Sequence, residues 1–164
     1  MRRSLLTLLL AALPLGGAVA DDTRQVGYVN TAITNLGLTR SHRVVVEQFS
    51  DPEVSGVSCY ISQARVGGLT GMVGLAEDPG RFNLTCIATG PVRVTEGARR
   101  GERGEQVFES STSLFFKETR VNRFVDEEQG AVVYLAWSTR LIEGSPFNAV
   151  AAVPMTPAAT PPAR

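Results

Sequence analysis

Two stretches decide the fold of this chain, VSCYISQA at residues 57–64 and FNLTCIAT at residues 82–89. Both contain the β-branched and aromatic residues that favour strands. Because side chains alternate across a strand, Cys59 falls on the more apolar face of the first stretch and Cys86 on that of the second. The two sulfur atoms could therefore meet if the strands are neighbours in a sheet.

The first twenty residues predict a secretory signal peptide. Arg2-Arg3 is followed by an apolar run over residues 5–15 and by Ala18-Val19-Ala20, a small-residue cleavage site. The apolar run is too short to span a bilayer comfortably, and no later run is long enough. We therefore expect an exported protein with no membrane span after signal removal. Residues 21–154 should form a single β-rich domain, and residues 155–164 a disordered Pro/Ala tail.

Composition limits the partners of the exported chain. The whole sequence has 16 basic and 16 acidic residues, and two of the arginines lie in the signal. A protein so close to neutral lacks the broad basic surface that binds nucleic acid or anionic lipid. We therefore expect no nucleic-acid partner.

The two cysteines, Cys59 and Cys86, favour a disulfide because the chain is exported. Such a bond would contribute roughly 3–4 kcal/mol by the chain-entropy model. A redox-active pair usually has Cys-x-x-Cys spacing, which this chain lacks. Redox activity and two free thiols are the alternatives.

Further strand-like segments are separated by turns. They are residues 25–31, 42–49, 106–109, 112–117, 120–125, 131–137 and 148–153, the last being a strand or a short helix. The pattern predicts a mainly β fold, an antiparallel sandwich or partly closed barrel with one or two short helices. The alternative is an α+β layer with a longer helix over residues 68–76. Residues 131–137 are apolar on both faces, which predicts a central strand covered on each side.

Three glycines between the cysteine strands are candidates for partner binding. Gly67, Gly71 and Gly74 have the spacing of one helix face. Such small residues would let the backbone of a partner approach closely. The region lacks the Gly-Lys-Ser/Thr ending of a phosphate-binding loop.

His42 is the single histidine and the only side chain whose ordinary pKa lies near neutrality. It is a weak catalytic candidate, as the general base of a cell-envelope hydrolase. That role requires a serine or threonine and a carboxylate within hydrogen-bond reach. No Gly-x-Ser-x-Gly motif is present, and one histidine with scattered carboxylates is poor material for a metal site. We expect an exposed His42, no metal and no cofactor.

Charged residues near the predicted turns have ordinary explanations. Asp51, Glu53, Glu77 and Asp78 could bind calcium, but they do not follow EF-hand spacing, so solvated turns are expected. Residues 93–105 mix arginines, glutamates and glycines, which is typical of a flexible surface segment. An anion-binding patch is the alternative there, since arginine suits carboxylates and phosphates.

Several blocks resemble the CreA family of bacterial periplasmic proteins. They are HRVVVE at residues 42–47, Phe49, DPEV at 51–54, VSCYIS at 57–62 with Ala64, GLAED at 74–78, Cys86, Gly90-Pro91, TSL at 112–114 and EGSP at 143–146. The match covers residues 26–154. The resemblance implies a Gram-negative periplasmic location, both cysteine positions and a genetic association with catabolite or carbon-source regulation. It supplies no molecular activity and no catalytic residues.

The sequence thus favours a non-enzymatic periplasmic accessory or binding protein. Its partner would be a periplasmic protein or a small ligand. A cell-envelope hydrolase using His42 is the alternative from another class, and a thiol-redox protein is a third.

Overall fold

The computed structural model describes residues 23–32, 42–65, 81–98, 100–111, 118–142 and 144–157. Their regular structure is eight strands and no helix, which confirms the prediction of a mainly β fold. The strands are β1 (Arg24–Ala32), β2 (His42–Phe49), β3 (Val54–Arg65), β4 (Phe82–Val94), β5 (Glu105–Ser111), β6 (Glu118–Asp126), β7 (Ala131–Ile142) and β8 (Ser145–Pro154). The helix considered between the cysteine strands lies outside the described residues.

The strands form two antiparallel four-stranded sheets, β1-β2-β3-β4 and β5-β6-β7-β8, in which each strand pairs with the next. The sheets meet along one side, where β4 and β8 lie alongside each other. There Thr156 N donates to Val92 O (2.9 Å), and Phe82 meets Phe147 edge-on. No ladder joins β1 to β5 among the strands described. The molecule is therefore a sandwich with a closed side at β4/β8 and an open side at β1/β5, and not a barrel.

The core lies between the sheets. Phe49 of β2 stacks on Phe108 of β5 with ring centroids 4.5 Å apart. Around this pair, Ile61, Val121 and Val132 are fully buried. Each such side chain contributes about 1.5–3 kcal/mol through burial. Strand alternation accounts for the pattern, since the buried positions of β3 recur at every second residue after Gly56.

β4 runs through Gly90-Pro91 to Val94, beyond the strand expected from sequence. Pro91 is tolerated because β4 is an edge strand of its sheet. The β3–β4 register is irregular here, because one β3 residue between Ser55 and Val57 faces the four β4 residues 89–92. Gly56 adopts φ +75° there, and a Cβ atom would lie 2.3 Å from Pro91 O. Only glycine fits this close approach.

β7 is a central strand, as predicted, with β6 and β8 on its two sides. Val132, Tyr134 and Ala136 are buried, whereas Val133 and Leu135 on the other face are half-buried. The expectation of a strand covered on both faces was wrong because a two-layer sandwich covers only one face of each sheet.

The interior of the sandwich has two polar ends. At the Asp51 end, the β2–β3 turn contacts Arg123 of β6. At the opposite Arg65 end, Arg65 of β3 contacts Ser110 of β5.

Candidate functional site

β1 is the most exposed strand of the molecule. None of the residues from Arg24 to Thr31 is buried, and the side chains of Val26, Tyr28 and Val29 are 48%, 54% and 68% exposed. Bulges at Gln25/Gly27 and Asn30/Ala32 enclose a regular stretch from Gly27 to Asn30. The outer edge of that stretch pairs with no described strand.

The other three edge strands are protected in ways that β1 is not. β4 and β8 lie against each other. β5 has only seven residues, contains a bulge and carries Glu105 and Glu109. Shortness and charges both discourage the pairing of an edge with another chain. β1 has bulges too, but it has nine residues and a single charge, Arg24. Its regular stretch from Gly27 to Asn30 is therefore the described edge most open to strand addition.

Two arginines lie side by side on the inner face near this edge. Tyr28 is directly opposite the buried Val45, so its ring points to the inner face although sheet β5–β8 does not cover it. The Arg43 guanidinium lies over this ring, with Cζ 5.5 Å from the centroid. Arg65 is directly opposite Arg43 on β3. Like charges at directly opposed positions repel each other.

Arg65 belongs to a polar cluster with Glu47, Gln63 and Ser110. Arg65 Nη2 donates to Glu47 Oε2 (3.0 Å) and to Ser110 Oγ (3.0 Å). Gln63 Nε2 donates to the same two acceptors, at 2.9 and 3.3 Å. Gln63 is almost fully buried and its Oε1 has no partner. The Arg65 and Glu47 side chains are 19% and 17% exposed, so this cluster opens to solvent.

The cluster at the Asp51 end is closed around Arg123 and Asp51, whereas its third charged member, Glu105, is 37% exposed. Asp51 Oδ1 accepts hydrogen bonds from Arg123 Nη1 (2.6 Å) and Glu53 N (2.9 Å), and Oδ2 accepts one from Tyr134 Oη (3.2 Å). Arg123 Nη2 also donates to Glu105. The side chains of Arg123 and Asp51 are both 0% exposed. Arg123 Nε is buried without a partner.

Burial dominates the titration of this cluster. Loss of hydration raises the pKa of Asp51, although Glu53 N, Arg123 and Tyr134 all act in the opposite direction. Loss of hydration, followed by the nearby charge of Asp51, raises the pKa of Tyr134. Tyr134 therefore remains a hydrogen-bond donor throughout the physiological range. Because the side chains of Arg123 and Asp51 are fully buried, their ion pair has the character of a structural element.

The structure separates the residues predicted from sequence. Cys59 and Cys86 are directly opposed on β3 and β4 and are joined by a disulfide. His42 begins β2 opposite Ala32, but its side chain lies outside the described part, so the catalytic hypothesis stays a prediction. Gly67, Gly71 and Gly74 lie outside the described residues as well.

The expectation of a solvated turn was wrong for Asp51. Its carboxylate faces inward and meets Arg123, 72 residues further along the chain. Glu105, expected in a flexible surface segment, begins β5 and binds the same arginine. Arg100 lies in the segment between β4 and β5. As expected for a surface segment, its side chain is exposed, and it pairs with Glu127 (2.7 Å).

Sequence reasoning missed Arg43, Arg65, Glu47 and Gln63 as a group. The available signal was strand alternation, which places Arg43 and Glu47 on the same face as Val45. Charges on the apolar face of a predicted strand mark either an end of the core or a site. Their register with β3 required the structure.

Other kinds of site were sought within the same residues. No group of three or more His, Cys, Asp or Glu side chains gathers there in a way that could hold a metal ion. Within the described ranges there is no helix that is long and apolar enough to cross a bilayer.

The fold and the disulfide define this protein as a disulfide-linked antiparallel β-sandwich with one open side. The CreA family model, described as "CreA protein", matches residues 26–158. The chain is 42% identical over 134 residues to Protein CreA of Escherichia coli strain K12. The matched region covers 81% of this chain and 84% of that protein. The same identity and coverage hold for Protein CreA of strain O157:H7. No solved structure matches the chain significantly. The chain belongs to the CreA family.

Proposed function

We propose that this protein is a non-enzymatic accessory protein of the Gram-negative periplasm, linked to catabolite or carbon-source regulation. In this proposal it binds another periplasmic polypeptide at the outer edge of β1. The observation that carries the proposal is the exposure of β1, whose Val26, Tyr28 and Val29 are all about half or more exposed. An unprotected edge of this kind is a template for an added strand.

The dimensions of the edge predict the kind of complex. Only Gly27 to Asn30 form a regular ladder between the two bulges of β1. An added strand would therefore gain few backbone hydrogen bonds, each worth about 0.5–1.5 kcal/mol net. Apolar contacts to Tyr28 on one face and to Val29 and Val44 on the other would add to them. These terms together suit a reversible partner better than a permanent subunit.

Capture from periplasmic extract tests the proposal with a matched pair of variants. Val29→Lys places a charge on β1, which should prevent strand addition without disturbing the core. Val150→Lys makes the same change on β8, where the side chain is 65% exposed compared with 68% for Val29. We expect a partner captured by wild type and by Val150→Lys but lost by Val29→Lys.

Hydrogen exchange then locates the contact. Adding the purified partner should slow exchange of the β1 amides, Arg24 to Ala32. The proposal would be overturned if the same proteins were captured by both variants, or if the protected amides lay on another strand. Turnover of a cell-envelope substrate that disappears with His42→Ala would replace the binding role with an enzymatic one.

A further inference from the structure

We propose that Arg43 and Arg65, together with Tyr28 and Ser110, form a binding site for an oxyanion, a carboxylate or phosphate group, on the open side of the sandwich. The site shares Tyr28 with the proposed β1 edge, but its anion-binding donors, Arg43, Arg65 and Ser110, lie on β2, β3 and β5. It lies on the inner face, where Arg43 and Arg65 are directly opposed and Tyr28 is uncovered.

The charge of Arg43 supports an anion-binding site. Four arginines with described side chains are buried or half-buried: Arg43, Arg65, Arg120 and Arg123. Arg65, Arg120 and Arg123 each have a carboxylate within 4.0 Å. Arg43 has none among the described residues. Arg43 is half-buried and so has lost part of its hydration, and the described part of the chain supplies no carboxylate to it; the nearby Glu47 pairs with Arg65.

The two arginines also supply several donors. The Arg43 guanidinium lies over the Tyr28 ring, with Cζ 5.5 Å from the centroid, and this contact favours one position of the cation. Among the described residues, Arg65 makes its contacts through Nη2 alone, and its Nε and Nη1 donate to none of them. An oxyanion is the ligand that such guanidinium donors bind best.

The hydroxyl group of Ser110 also supports an anion-binding site. Its Oγ accepts hydrogen bonds from Gln63 Nε2 (3.3 Å) and Arg65 Nη2 (3.0 Å). With its oxygen already accepting two bonds, Ser110 has its hydrogen available to donate. Ser110 therefore adds a neutral donor beside the two cations.

Thermal unfolding of the mature protein tests the site with two probes, inorganic phosphate and succinate, against sodium chloride at matched ionic strength. A ligand that binds only the folded protein raises the unfolding temperature. We expect phosphate or succinate to raise it above the chloride reference, and the better of the two probes identifies the oxyanion. Isothermal titration gives the affinity of that probe.

Variants assign the effect to Arg43. Arg43→Gln should weaken binding about tenfold or more, as expected when a charged donor is lost. Arg43→Lys should restore part of the affinity, and Tyr28→Leu should weaken binding while leaving the charge intact. Arg24→Gln, an exposed cation on the same pair of strands, is the control and should bind as wild type does.

Two results would overturn the site. The first is no stabilisation by either probe beyond that of chloride. The second is equal affinity in wild type and in both Arg43→Gln and Tyr28→Leu, each shown by circular dichroism to be folded. Neither result bears on partner capture by β1, which Val29→Lys tests separately.

Discussion

At the Asp51 end of the sandwich an arginine is enclosed by two carboxylates and shut off from water, whereas at the Arg65 end the arginines reach solvent. Arg123 is fully buried and pairs with Asp51 and Glu105. Arg65 is 19% exposed and shares Glu47 with Gln63, and its neighbour Arg43 has no described carboxylate. The same side-chain chemistry thus occurs in two environments.

This comparison indicates that burial determines whether an arginine cluster mainly stabilises the fold or remains accessible to a ligand. In the interior, removing one partner leaves an uncompensated charge, so every member of the cluster is tied to folding. Near the surface, water screens the charges, and the cluster contributes little to stability but remains accessible to a ligand. The closed end should therefore respond strongly to mutation in stability measurements, and the open end weakly.

The largest expected effect is that of Arg123→Met, which keeps an apolar stem but removes the counter-charge of Asp51. We expect the free energy of unfolding to fall by about 3–5 kcal/mol, since a buried carboxylate is left without its partner. Urea unfolding at pH 7 measures it. Arg123→Met/Asp51→Asn removes both charges and should recover part of the loss. A loss below about 1 kcal/mol in the single variant would end the distinction between the two clusters.

The next largest effect on the free energy of unfolding is expected when the disulfide is removed. The Cys59–Cys86 bond links β3 to β4 on the closed side, with a sequence separation of 27. Cys59→Ala/Cys86→Ala should lower the free energy of unfolding by roughly 3–4 kcal/mol. Partner capture at β1 should persist, because the bond lies away from that edge. Mass spectrometry of protein isolated from its native cells and alkylated without reduction is the direct check, and two alkylated cysteines would contradict the bond.

The pH dependence of the closed end is a smaller effect with a definite sign. Burial raises the pKa of Asp51 above its ordinary value of 3.8. Its contribution to stability is therefore fully present below pH 3.8 and is lost as the pH rises through the folded-state pKa. Asp51→Asn lacks this titration, so the stability of wild type relative to Asp51→Asn should fall as the pH rises from 3 to 7.

Urea unfolding of both proteins across that pH range measures this difference. Groups that titrate alike in the two proteins contribute equally to both stabilities, so their effects cancel in the difference. A difference that instead grows with pH would mean that Arg123 and the hydrogen bonds to Asp51 outweigh the loss of hydration.

The smallest effect is expected for Arg65→Met at the open end. Its ion pair with Glu47 is partly exposed, and such pairs contribute at most about 1 kcal/mol. The same urea series provides the measurement, with Arg123→Met as the reference. Equal losses in the two variants would show that the Arg65 cluster is as structural as the Asp51 cluster.

The sequence by itself determined the positions of most strands and the buried face of several, although not the length of β4 or the exposed face of β7. Alternation placed Cys59 and Cys86 on apolar faces, valine-rich residues 44–46 marked β2, and the acidic run before Gly130 marked the β6–β7 turn. Asp126 Oδ1 accepts a bond from Gln129 N (3.0 Å) there, and Gly130 adopts φ +61°. These features depend on residues close together in sequence, so local propensity is enough to predict them.

Only the tertiary structure decided the two arginine clusters and the open side. Asp51 and Arg123 meet across 72 residues, and Arg65 and Ser110 across 45. Such contacts depend on how one sheet is laid on the other, which no local pattern encodes. Exposure of β1 has the same origin. Its sequence predicts an ordinary strand, and it becomes an accessible edge because the sheets meet at β4 and β8 and leave β1 uncovered.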